Sequence, residues 1–349
     1  MNLSIGILGL PNVGKSTLFR ALTKKPVDIS AYPFCTIEPN VGLVEVPDQR
    51  LWKLAEIQQP EKLVPAAIKF IDVAGLVRGA HKGDGLGNQF LAHLRDAHVL
   101  LHVVRVFRAD NVSHINGRLN PQEDMEIIES ELILKDLETV EKRFEKIADE
   151  AKRGKKEAVA EFGALVSLKE KLSRGEMAFL FQKNEFIEKL FLLTAKPQIY
   201  LLNGQPEEVP DELKNYLEER KKIWFLLDLR EELDKIEIGE KEREEMGLTE
   251  PKIPALIKKC YEVLNLITFF TIKGQEETRA WPLEKGKTVF DGAGLIHSDF
   301  QKKFVRAEVL NWQKVVEVGS WKKCRELGLL KSVGKDYVLQ DGDVVEIKI

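Results

Sequence analysis

Residues 9 to 16 read Gly-Leu-Pro-Asn-Val-Gly-Lys-Ser, a complete GxxxxGK[ST] pattern between a short apolar run (Ile5 to Leu8) and a helix-like stretch (Thr17 to Leu22). Glycines at 9 and 14 let the backbone turn tightly enough for successive N–H groups to point inward, and the following helix adds its positive N-terminal end. That geometry cradles phosphates. Lys15 is then placed to reach the β- and γ-phosphates and the Ser16 hydroxyl to ligate Mg2+. A strand, loop and helix in this order predict an α/β nucleotide-binding sheet, and the ligand they imply is a nucleoside triphosphate.

The second metal-side group is expected at the end of a strand. Ala67 to Val73 reads AIKFIDV, an apolar run suited to a buried strand, and it leads into Asp72-Val73-Ala74-Gly75, a DxxG pattern. Asp72 is expected to hold Mg2+ through water and the Gly75 N–H to bond the γ-phosphate. Between the two motifs lies Tyr32-Pro33-Phe34-Cys35-Thr36, where Thr36 can close over metal and phosphate as a first switch. The segment RGAHKGDGLGNQ (78 to 89) is glycine-rich and charged, as expected of a second switch.

Position 76 is Leu, where Ras-like GTPases carry the glutamine that orients the attacking water. A hydrocarbon side chain cannot do that work. Either turnover stays slow until a partner acts, or another polar group or a monovalent cation takes its place. Asn12 is the candidate for coordinating such a cation, with K+ the ion in view, and His114 is a polar side chain outside the loop that can approach a water. The plainer reading of His114 is a surface-loop histidine.

Guanine is normally read by an Asn/Thr-Lys-x-Asp motif after a later strand. Here the strand-like PQIYLL (Pro197 to Leu202) runs into Asn203-Gly204-Gln205-Pro206-Glu207, and no NKxD occurs in the chain. Without that carboxylate the main penalty against adenine is gone, so ATP is at least as well suited as GTP.

Composition excludes several classes. Three widely spaced cysteines without CxxC spacing suggest neither a disulfide framework nor a zinc site and fit a reducing, cytoplasmic setting. No apolar run approaches the ~18 residues needed to span a membrane, no secretory signal is read at the N-terminus, and no membrane association is expected. A net charge of −3 gives no global attraction to nucleic acid, and no sequence-specific DNA binding is expected.

From Met125 to about Phe191 glycine and proline almost vanish, and Ile133, Leu137, Val140, Phe144, Ile147 and Ala151 recur at spacings of four and three. A break at Lys152 to Lys156, turning at Gly154, folds this into an antiparallel hairpin with Val159, Phe162, Leu165, Leu168 and Leu172 on the return. A coiled-coil arm and a plain amphipathic helical pair fit the pattern equally. The C-terminal residues alternate in strand fashion (DYVLQDGDVVEIKI, 336 to 349) around an Asp341-Gly342 turn, reading as a small β-rich module. Its lysines and arginines (Lys302, Lys303, Arg306, Lys322, Lys323) suit a solvated face or RNA contact, and His297 suits a hydrogen-bonded structural role.

The runs GLPNVGKST, YPFCTIEPNVG, DVAGLVRGAHKGDGLGNQFL, LITFFT, RAWPLEKG, AGLIHSDFQKKFVRAEV and KDYVLQDGDVVE, in this order over nearly the whole chain, resemble the Obg-like ATPase (YchF) family. The resemblance implies three parts: a P-loop, G-domain-like nucleotide-binding unit at 1–124 and 195–265, an inserted coiled-coil hairpin at 125–194, and a C-terminal α+β, β-grasp-like TGS domain at 266–349. It implies a switch ATPase that also accepts GTP in some members and associates with the ribosome, here expected at the large subunit, in translation or stress regulation. It puts the phosphates on Asn12, Val13, Gly14, Lys15, Ser16 and Thr17, Mg2+ on Ser16 and Thr36, the base on Asn203 and Gly204, and a catalytic histidine at His114. The family's Asn-x-x-Glu base motif is broken here by Pro206, with Glu207 one place later. Two other readings stay open: a GTPase, and an ATP-gated binding factor whose hydrolysis is only a timer.

Overall fold

The computed structural model describes residues 3–24, 27–28, 31–32, 40–72, 94–109, 114, 118–181 and 184–349. Thr36, Gly75, Leu76 and the glycine-rich 78–89 segment lie outside the described residues.

The first sheet is built on β1 (Ser4–Leu8), β2 (Val41–Glu45), β4 (Ala67–Asp72), β5 (Val99–Arg105), β6 (Gln198–Asn203) and β7 (Ile223–Leu227), in the order β2-β4-β1-β5-β6-β7. Every pairing is parallel except β2 with β4. β1 and β5 are buried along their whole length, as central parallel strands covered on both faces must be, which is why they read as unbroken apolar runs. The phosphate loop leaves β1 at its carboxyl end and enters the helix Lys15–Thr23; the carboxyl ends of parallel strands are where ligands of such sheets bind.

The helix after β5 runs from Pro121 to Lys152, with Asn120 capping it and a proline in its first turn. It therefore starts before Met125. Its opening turns pack on the first sheet: Met125 packs with Val104, Tyr200 and Leu202, while Ile128 and Leu132 join the main core. Beyond them the helix pairs with Lys156–Ser173 through Ile133, Val140, Ile147, Leu165, Leu168 and Leu172. Gly154, at φ +76°, makes the turn. One seam position differs from expectation: Val159 is 49% exposed and Ala158 is buried in its stead, because Ala158 falls one heptad before Leu165 and two before Leu172 and so shares their face of the helix.

The second sheet holds β8 (Leu266–Lys273), β9 (Glu277–Glu284), β10 (Arg306–Asn311), β11 (Lys331–Val333) and β12 (Asp343–Lys348), in the order β11-β10-β12-β8-β9-β3. Its last member, β3 (Lys62–Val64), comes from far upstream, between β2 and β4 in the chain, and lies parallel to β9. The alternating 336–349 segment does not form a hairpin about Asp341-Gly342. β12 pairs antiparallel with β10 and parallel with β8, since the turn is held elsewhere: Asp341 accepts the Thr268 N–H at 2.8 Å and the Arg50 guanidinium at 2.7 Å. One apolar core runs across both sheets, joining Ile5, Phe70 and Leu101 to Phe270, Val344 and Trp321. Among the described residues no helix is long and apolar enough to cross a membrane.

Candidate nucleotide site

The loop that follows β1 has three left-handed positions: Gly9 at φ +148°, Asn12 at +61° and Gly14 at +106°. At Gly9 a Cβ would stand 2.4 Å from the Val103 carbonyl oxygen, so the glycine is required by the neighbouring strand as well as by the turn. Asparagine is among the few non-glycine residues that adopt this conformation readily. Gly14 caps the helix Lys15–Thr23 without any side chain, and no acidic residue occupies its first turn. Helices starting after Asp48, Asn120 and Asp228 are capped by those side chains. The opening N–H groups of Lys15–Thr23 are thus left for an anion.

Lys15 is buried, and its Nζ donates to the carbonyls of Gly9 at 3.0 Å and Leu10 at 2.7 Å. Burial pulls its pKa down to about 8, with the Asp72 carboxylate acting the other way. Asp72, at the end of β4, is pushed above the usual carboxylate range by burial and held back by Lys15. The lysine and the aspartate thus face each other electrostatically across the loop. Ser16 and Asn12 are exposed, Thr17 is partly so, and Val13 is buried.

Asn203 closes the site from behind. Its Nδ2 donates to the Val13 carbonyl at 2.9 Å, and its Oδ1 accepts the Leu229 N–H at 3.0 Å. It is 5% exposed, and a Cβ on Gly14 would lie 2.4 Å from its Nδ2. One side chain therefore joins the phosphate loop, β6 and the helix Leu229–Ile238. The chain then turns through Gly204 at φ +153°, where a Cβ would meet Val106, Glu208 and the Phe107 N–H within 2.9 Å. Gln205 Nε2 donates to Asp228 at 2.8 Å and Glu231 at 3.0 Å. Glu208, two residues past Pro206, spends its carboxylate on the N–H groups of Gln205 and Arg108.

His114 is not a surface histidine. Its side chain is 9% exposed and its Nε2 lies 2.8 Å from Asp124 Oδ2, in the first turn of the long helix. Burial raises the Asp124 pKa while His114 opposes the shift. His297, by contrast, is exposed and accepts the Asp299 N–H as a helix cap. The sequence reading passed over Asp124 and Asp228; Asp228 carried a legible signal, as an aspartate just before a helical stretch is a common cap.

The chain aligns with the Ribosome-binding ATPase YchF of Bacillus subtilis at 43% identity over 364 residues, covering 100% of this chain and 99% of the relative. The chain belongs to the YchF family. The Escherichia coli O157:H7 YchF, also named a ribosome-binding ATPase, is 40% identical with 99% and 98% coverage. The solved structure titled as the Schizosaccharomyces pombe YchF GTPase superposes with a TM-score of 0.86 at 34% identity, covering 99% of this chain and 98% of that one. A family model described as a 50S ribosome-binding GTPase matches residues 4–147, and the YchF-GTPase C-terminal model, described as a protein of unknown function, matches 266–349. The names of YchF relatives thus divide between ATPase and GTPase, which makes the base side of the site decisive.

Proposed function

We propose that this chain is a nucleotide-dependent switch that binds and slowly hydrolyses ATP with Mg2+ and associates with the ribosome, at its large subunit. The observation that carries the choice of ATP is the segment after Asn203. Pro206 stands where a base-reading acid is expected, and the Glu208 carboxylate is occupied by two backbone N–H groups. Guanine offers an N1–H and an amine that the aspartate of an Asn-Lys-x-Asp motif accepts; no such carboxylate stands here, so the main penalty against adenine is absent. The ribosome enters from the relatives' names and the 50S description of the matched model.

In this reading the N–H groups of residues 12–17 and Lys15 hold the phosphates, Gly75 bonds the γ-phosphate, and Asn203 and Gly204 border the base. The residues present suit Mg2+: the half-buried Asp72 carboxylate at the end of β4 and the exposed Ser16 hydroxyl in the first turn of the helix Lys15–Thr23 are oxygen donors of the kind a hard divalent cation takes. Thr36 is the third expected donor. When bound, Mg2+ neutralises charge that develops on the transferred phosphoryl group. Lys15 supplies the protein's own positive charge there, and in the low dielectric of its buried place that charge acts more strongly on a phosphate than it would in water. His114 is the group proposed to approach the attacking water in place of the missing glutamine, with Asp124 fixing its ring. Asn12 is the proposed K+ ligand.

Calorimetric titration with non-hydrolysable ATP and GTP analogues, in Mg2+ with K+ and then Na+, tests the reading. Tighter binding of the ATP analogue is expected. A preference of about tenfold for the GTP analogue, about 1.4 kcal/mol, replaces the reading with a GTPase, the name the fission-yeast relative carries.

A further inference from the structure

A cavity of 520 Å3 opens at the far end of two helices that begin at the nucleotide site. The helix Lys15–Thr23 starts at the phosphate loop and brings Ala21 and Leu22 to the cavity wall. The helix Leu229–Ile238, whose first N–H is held by Asn203, ends there with Ile236 and Gly239. At the rise of an α-helix, about 10 Å of chain separates Lys15 from the cavity wall, so the two sites are distinct. The walls are apolar and stiff. Leu22, Val44, Val46, Leu51, Ile253 and Ile257 are buried along them, and Pro47, Pro65, Pro251 and Pro254 hold their backbone at a fixed φ. Trp52 also lines the cavity yet is 58% exposed, which places it at the mouth. A space of this size, largely apolar with a few polar groups, is what small-molecule sites have, at roughly 300–1,000 Å3.

Arg243 is the only buried charged side chain among the described residues that line this cavity. Lys24, Glu240 and Glu250 are exposed, Glu45 is partly exposed, and Asp48 is bonded to the Arg50 guanidinium. Arg243 Nη1 donates to the Lys235 carbonyl at 3.1 Å, and Nη2 to Glu250 at 3.3 Å. Its Nε is buried and has no hydrogen-bond partner among the described residues. Nη2 and Nε form one edge of the guanidinium, the edge that a carboxylate takes with both oxygens. Glu250 meets only one of these two donors, and its side chain is 72% exposed. A solvated acid at that distance does little to offset the burial of a guanidinium.

We propose that this cavity is a second ligand site, for a small organic carboxylate with an apolar body: the body fills the space behind Trp52, and the carboxylate takes the Nη2 and Nε edge of Arg243 in place of Glu250. The apolar walls supply the larger part of the affinity, and the half-used guanidinium edge selects an anion over a neutral molecule of the same shape.

The test titrates the full chain calorimetrically with naphthalene-2-carboxylate and, as its uncharged counterpart, naphthalene-2-carboxamide. One molecule per chain is expected, the carboxylate binding tighter than the amide by about tenfold, with no displacement by a saturating non-hydrolysable ATP analogue. Glu250→Gln frees the guanidinium edge, so it should tighten the carboxylate by about two- to fivefold and leave the amide unchanged. Arg243→Met should abolish the preference for the carboxylate, and Trp52→Ala should weaken both probes by about three- to tenfold. Absence of carboxylate binding, equal affinity for the two probes, or displacement by the ATP analogue overturns the proposal. So does a preference that survives Arg243→Met, a carboxylate affinity that Glu250→Gln does not raise, or binding that Trp52→Ala leaves unchanged. Should Arg243→Met fold poorly, Glu250→Gln and Trp52→Ala, both at exposed positions, carry the test.

Discussion

Asn203 reaches 190 positions back along the chain to hold Val13, donating from Nδ2 to its carbonyl at 2.9 Å while accepting the Leu229 N–H at 3.0 Å. The phosphate loop is thus braced from β6, and its shape depends on a residue that also borders the expected base site.

Replacing Asn203 by Ala strands the Val13 carbonyl and the Leu229 N–H in a buried place. Each loss costs about 1–3 kcal/mol, so a fall of about 2–6 kcal/mol in stability is expected by urea denaturation. ATP-analogue affinity should fall with it, even in samples still folded. Unchanged affinity in a destabilised protein would separate the brace from the site.

Asp72→Asn removes the carboxylate proposed to face Mg2+ without changing the side chain's size. Magnesium-dependent ATP-analogue binding is expected to weaken by about ten- to a hundredfold, as for other lost metal-supporting groups, and EDTA should weaken the wild type comparably. Retention of the full magnesium dependence in the variant would sink the assignment.

His102 lies fully buried on β5, with its ring 5.4 Å from that of Tyr200 and its Nδ1 without a partner among the described residues. Burial first, then the charges of Lys222 and Lys15, pull its pKa down to about 3. An unfolded histidine titrates near about 6.5. Between those values only the unfolded chain takes up the proton, so stability falls as the pH drops, by at most about 1.4 kcal/mol per pH unit. His102→Leu should therefore lose about 2 kcal/mol less than the wild type between pH 7 and pH 5. Parallel denaturation profiles would rule this out.

Asp136 ties the helical arm to the segment leading into β6: its carboxylate accepts the Leu193 and Thr194 N–H groups, each at 2.8 Å, and the Thr194 hydroxyl at 2.6 Å. Asp136→Ala leaves those donors buried and unpaired, for an expected loss of about 2–5 kcal/mol. Hydrogen exchange should quicken first at Leu193 and Thr194. Unaltered exchange there would mean the arm is held by its apolar seam alone.

What the sequence determined is what short-range pattern can encode. The phosphate loop was legible because glycines, a lysine and a serine at fixed spacing dictate one backbone path. The paired helices were legible because residues three and four apart share a face, and because Gly154 breaks the run. The tertiary structure decided the matters that depend on partners distant in the chain. Nothing near Lys62 announces that β3 leaves its own sheet for β9, since an edge strand's partner is set by which backbone lies open beside it. Nothing near His114 announces its burial on Asp124, or near Asn203 its bond to Val13. Alternation at 336–349 predicted strand, but Arg50 and Thr268, far upstream, took the Asp341 carboxylate and sent β12 to β10 and β8. A periodicity states which face of an element is apolar; only the packed chain states what meets that face.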